Sequence, residues 1–101
     1  MDIVTDGPVL VLAGAFDVRS TWEVRQALHA QLEAHPDVIV DLNGVDSADL
    51  SALRVLAAAS VQAGRFGGHV TLRGCGPAVR RLLHISHLIR VVEVERVAAI
   101  A

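Results

Sequence analysis

Residues 38–53, Val-Ile-Val-Asp-Leu-Asn-Gly-Val-Asp-Ser-Ala-Asp-Leu-Ser-Ala-Leu, constrain the fold of this chain more than any other segment. Val38-Ile39-Val40 is continuously apolar rather than alternating, the pattern of a strand covered on both faces of a parallel sheet. A short acidic loop follows, and then a helix is predicted from about Asp49 to Gln62, with Leu50, Leu53, Leu56, Ala57 and Val61 at its apolar positions. Arg54 is its only basic group, so it should lie mostly against protein. The first N–H groups of a helix have no intrahelical partner, so a strand feeding a helix across so short a loop builds a site at a helix N-terminus.

The flanking segments extend this into an alternating α/β order. Ile3-Val4 and Val9 to Ala13 are short β-prone runs separated by Asp6-Gly7-Pro8, which predicts an antiparallel hairpin. Ser20 followed three residues later by Glu23 reads as a capping box, and Val24, Ala27, Leu28 and Leu32 then recur at helical spacing. That helix should end near His35-Pro36, because proline disfavours helical geometry in the residue before it. Gly64 and Gly67-Gly68 release the second helix into a strand at His69 to Arg73. Pro77, after Gly74-Cys75-Gly76, stands at the first position of a third helix carrying Val79, Leu82, Leu83 and Ile85. Val91 to Val94 reads as a last strand. The predicted order is β-β-α-β-α-β-α-β, one α/β domain over residues 1–101 with helices packed on a mixed sheet.

Composition narrows the functional classes. Hydrophobic residues make up 52% of the chain but aromatics only 3%, so Ala, Val, Leu and Ile must build the core. A net charge of -2 leaves no excess of positive charge to neutralise a phosphate backbone, which argues against nucleic acid as a partner. No apolar run approaches the roughly 20 residues that span a bilayer. With no basic and apolar leader pattern, the expectation is a cytoplasmic chain without a membrane partner. The single cysteine, Cys75, excludes an internal disulfide. Its place beside a helix start is one where a thiol pKa can fall, but it reads as a buried inert thiol or a loop residue. His84 and His87 lie three apart with no further ligand at metal spacing, and they read as surface histidines. Arg80-Arg81 read as a solvated helix face. No phosphate loop, nucleophile elbow or Ser-His-Asp spacing supports an enzyme, and no cofactor or metal is expected.

Asp49-Leu50-Ser51-Ala52-Leu53, together with Gly14-Ala15-Phe16-Asp17 and Gly76-Pro77-Ala78-Val79, resembles the STAS family, which includes the bacterial anti-sigma factor antagonists. The family signature at the first of these segments is Asp-Ser-Ser/Thr-Gly-Leu. The resemblance spans essentially the whole chain and implies a mixed sheet with an N-terminal hairpin. It also implies a non-enzymatic role in transcription regulation, in which the domain binds an anti-sigma factor of the serine-kinase type and frees a sigma factor. In regulated members the residue after the Asp is the hydroxyl that the partner kinase phosphorylates. Here that position is Leu50, so the acceptor is lost and the switch should be lost with it. Ser51 is either a displaced acceptor or an ordinary first-turn serine. Ala52 stands where the family has Gly, adding a methyl where close backbone approach matters. Ala15 replaces a usual acidic residue.

The residues read as partner-binding are therefore Asp17, Asp49, Leu50, Ser51, Ala52 and Leu53. Asp46 and Ser47 are explained by helix capping alone. Asp17, which the resemblance places beside the second helix, is otherwise a loop residue bonding local backbone. A homodimer remains open. The rival reading is a structural or ligand-sensing STAS module in a larger signalling assembly.

Overall fold

The computed structural model describes residues 1–95. The elements are β1 (Asp2–Asp6), β2 (Val9–Phe16), α1 (Thr21–Ala34), β3 (Asp37–Ala48), α2 (Leu50–Arg65), β4 (His69–Arg73), α3 (Pro77–Ile85), a 3-10 turn (Leu88–Arg90) and β5 (Glu93–Val94). The five strands form one sheet in the order β1-β2-β3-β4-β5. β1 pairs antiparallel with β2, and every other pair is parallel. This is the mixed α/β architecture expected from the sequence.

The core follows the period-2 alternation of strands and the 3.6 period of helices. Leu10, Leu12 and Phe16 of β2, Val38, Val40 and Leu42 of β3, and Val70 and Leu72 of β4 are buried. Against them pack Val24 and Leu28 of α1, Leu53 and Leu56 of α2, and Val79 and Leu83 of α3. Gln31 is buried among them because its side-chain amide donates to the Gly7 carbonyl of the hairpin at 2.9 Å. Val61, predicted to face protein, is 47% exposed. No helix among the described residues is long and apolar enough to cross a membrane.

Three local expectations need correction. β3 does not stop at Val40 but runs to Ala48, because its polar second half pairs with the end of β2, Ala13 with Gly44 through Phe16 with Ala48. Asp46 and Ser47 therefore lie exposed in a strand and cap nothing. Val38-Ile39-Val40 is not covered on both faces, since Ile39 between its two buried neighbours is half-exposed. Ser20 occupies the N-cap position of α1, but at φ -99° and ψ -8° it is not extended, and its hydroxyl instead donates to the Ala15 carbonyl at 3.1 Å.

The return from α2 into β4 is the tightest passage in the chain. The Gly68 N–H donates to the Ala63 carbonyl, and the next residue, His69, donates to Pro36. A Cβ at Gly68 would overlap the Pro36 carbonyl oxygen, whereas a Cβ at Gly64 meets nothing. Gly68→Ala should lower unfolding stability by about 1–3 kcal/mol, the usual scale of overpacking. Gly64→Ala, in a helix, should raise it by about 0.5–1 kcal/mol. Urea denaturation of the two variants checks both signs.

Candidate functional site

The parallel ladder between β2 and β3 delivers two chain segments to one place. The pairing shifts register between Val11 and Ala13 and again between Gly14 and Ala15 of β2, with β3 carrying the extra residue each time. Gly14 adopts φ +96°, a conformation that a side chain would oppose. Beyond Phe16 the chain turns through Asp17-Val18-Arg19 into α1, while beyond Ala48 it turns at Asp49 into α2. The Asp49 N–H donates to the Phe16 carbonyl at 3.2 Å, which extends the ladder by one further bond.

Asp49 then joins the two segments through its side chain. It is the N-cap of α2, extended at φ -109° and ψ 172°, and one carboxylate oxygen accepts the Ala52 N–H at 2.9 Å. The other accepts the Val18 N–H at 3.3 Å. One carboxylate thus supplies a partner to a first-turn N–H of α2 and holds the loop before α1 against it.

Asp17 lies in the loop so held, but its carboxylate turns onto its own segment. It accepts the Arg19 N–H at 3.0 Å and the Arg19 guanidinium at 2.8 Å. The Arg19 side chain beside it holds the Asp17 carboxyl below the usual carboxylate range and raises the Arg19 pKa in turn. Arg19 was not among the expected site residues, although an arginine two positions after an aspartate was the available signal.

Leu50 is the first helical residue and is half-exposed, and Ser51 after it is exposed. Ala52 and Leu53 are both 0% exposed, so they support the helix start from below. The Ala52 methyl consequently faces the core rather than an approaching protein. The surface formed here is Asp17, Arg19, Asp49, Leu50 and Ser51, an apolar side chain among polar groups. Ala15 beside it is exposed.

The remaining candidates lie apart from this surface. Cys75 is buried, and desolvation pushes its thiol pKa up against a smaller opposing pull from Arg80, the reverse of an activated thiol. Arg80 and Arg81 are exposed, and Arg80 donates to the Cys75 carbonyl at 3.1 Å. His84 and His87 are exposed at the end of α3.

The fold and this helix start define a small α/β domain with a mixed five-stranded sheet and an Asp-capped helix at the end of β3. The family model described as Mlab, STAS domain matches residues 1–93, so the chain belongs to the STAS domain family. No curated protein sequence matches it. Among solved structures, a Thermotoga maritima protein assigned as an anti-sigma factor antagonist superposes with a TM-score of 0.78 at 17% identity, over 97% of this chain and 87% of that one. An anti-sigma factor antagonist from Mycobacterium paratuberculosis gives 0.76 at 23% identity, over 95% and 84%. Unphosphorylated SpoIIAA, also an anti-sigma factor antagonist, gives 0.75 at 16% identity, over 94% and 87%. At these identities the likeness is one of fold.

Asp49→Ala should cost about 1 kcal/mol in urea unfolding, the scale of a lost N-cap. It should also speed hydrogen exchange at the Val18 amide. Asp49→Asn keeps an acceptor oxygen and should recover most of the stability. A Val18 amide that exchanges unchanged in Asp49→Ala would show that the loop is held by other contacts.

Proposed function

We propose that this chain is a non-enzymatic anti-sigma factor antagonist that binds an anti-sigma factor of the serine-kinase type and thereby releases a sigma factor, without being switched off by phosphorylation. The observation that carries the reading is the start of α2. In a STAS domain whose structural neighbours include anti-sigma factor antagonists, the residue after the capping Asp49 is a half-exposed leucine. A phosphorylated hydroxyl there would bring a charge of about -2 to a contact face and expel an acidic partner surface. Leu50 has no oxygen to accept a phosphoryl group. It presents instead apolar area that a partner can desolvate, at a helix end supported by buried Ala52 and Leu53.

Ser51 is exposed and carries a hydroxyl, but one residue along a helix turns a side chain by about 100°. It therefore does not present its oxygen where the residue after Asp49 would. Asp17 and Arg19 border the contact, and their mutual ion pair leaves little net charge there.

Incubation with a serine-kinase anti-sigma factor from the same genome and ATP should leave the chain unphosphorylated by mass spectrometry. Leu50→Ser should take up one phosphate at the introduced hydroxyl. Ala52→Gly is not needed for this, because the methyl it removes is buried. Stoichiometric phosphate on Ser51 of the unsubstituted chain would overturn the unswitched reading. Leu50→Asp places a carboxylate at the first helical position, where the dipole favours it, so the fold is kept. Calorimetry should show affinity for the anti-sigma factor reduced roughly tenfold, as expected for the loss of about 1.5 kcal/mol of apolar burial. Unchanged affinity would move the contact elsewhere. Self-association without anti-sigma binding would favour the structural or ligand-sensing module instead.

A further inference from the structure

The strand registers sort the paired sheet residues onto two faces. Leu10, Leu12, Val38, Val40, Val70 and Leu72 point into the helical core. Their alternating neighbours form cross-strand rows on the opposite face: Val4, Val11, Asp41 and Arg73 in one, and Asp6, Val9, Ile39, Thr71 and Glu93 in the next. Asp2 pairs with Ala13, and Asp37 with His69, at the margins of that face. Val4 is 58% exposed, and Val9, Val11 and Ile39 are half-exposed. Parallel strands are ordinarily covered on both faces, so an open face across β2, β3 and β4 is an unfinished layer among the described residues.

The charge on this face is one-sided. Asp2, Asp6, Asp37, Asp41 and Glu93 are five of the chain's eleven acidic residues, and Arg73 is one of its nine basic ones. The Arg73 guanidinium and the His69 ring on this face are already engaged. Arg73 donates to Asp41 at 2.9 Å, and the His69 ring lies 2.8 Å from Glu93. Asp2, Asp6 and Asp37 are exposed and make no ion pair among the described residues. A second copy of the same face would set acid against acid. The apolar residues cross three adjacent strands, a width of about 10 Å at the usual strand spacing, which matches the diameter of one helix with its side chains.

We propose that the open sheet face docks an amphipathic helix of a partner protein, whose apolar stripe covers Val4, Val9, Val11 and Ile39 and whose flanking Lys and Arg residues meet Asp2, Asp6 and Asp37. The surface is distinct from the start of α2, and both can be occupied at once. It is independent of the function proposed above.

The test uses the full chain and three synthetic 18-residue helices: one with a Leu stripe flanked by Lys, one with Glu in place of Lys, and one with the Lys composition scrambled to destroy the stripe. Methyl NMR should show the Lys-flanked helix shifting Val4, Val9, Val11 and Ile39 while leaving Leu50 in place. Asp6→Asn with Asp37→Asn, both at exposed positions, should weaken that binding several-fold, as two surface ion pairs would. Equal binding of the Glu-flanked helix would overturn the charge argument, and equal binding of the scrambled helix would overturn the apolar stripe. Shifts confined to Leu50 and its neighbours would likewise overturn the proposal. If the methyls of the same four residues shift on simple dilution of the chain, the occupant is a second copy and the proposal fails. If the Lys-flanked helix binds only after residues 96–101 are removed, the occupant is the chain's own end, and the proposal again fails.

Discussion

The hydrogen-bonded ladder between β2 and β3, closed by the Asp49 carboxylate, is the constraint on which the surface at the start of α2 depends. Pairing from Val9 with Ile39 to Phe16 with Ala48 brings both strand ends to one level, and the Asp49 N–H adds a last bond to Phe16. The carboxylate then reaches in two directions, to Ala52 at the start of α2 and to Val18 before α1. That second bond ties the loop bearing Asp17 and Arg19 to the start of α2. With it, Leu50 and Ser51 are displayed on a helix end whose position is set by the sheet, and a site built on such a rigid element keeps its geometry better than one on a free loop.

The periodic features of the fold were legible in the sequence. The helical spacing of Val24 and Leu28, the proline at the start of α3 and the turn at Gly7-Pro8 each have a local cause, and each element stands where that cause predicts. What escaped local reasoning was tertiary in origin. Asp41 and Gly44 are poor strand residues, yet they belong to β3 because β2 pairs with them, and Asn43 is carried between them at the register shift. Ser20 and Glu23 have the spacing of a capping box, but the Ser20 hydroxyl serves the Ala15 carbonyl.

At the site, the sequence located Asp49, Leu50 and Ser51 at a helix start but could not distinguish outward from inward residues within the first turn. Ala52 and Leu53 are taken by the core, a consequence of which side of α2 meets the sheet. The role of Val18 is invisible in sequence because it is played by a backbone amide. Partial burial opposes ionisation of Asp41, yet hydrogen bonds from Asn43 and Arg73 outweigh it and leave the carboxyl below its ordinary pKa. That balance depends on β3 and β4 being adjacent and was likewise beyond a linear reading.

The central claim is that an anti-sigma factor meets this chain at the start of α2. Amide hydrogen exchange, compared between the free chain and its complex with a serine-kinase anti-sigma factor from the same genome, tests it most directly. The account predicts new protection at residues 17–19 and 49–52, with the exchange of β1 and β4 unchanged. Protection of β1 and β4 with none at the start of α2 would contradict it.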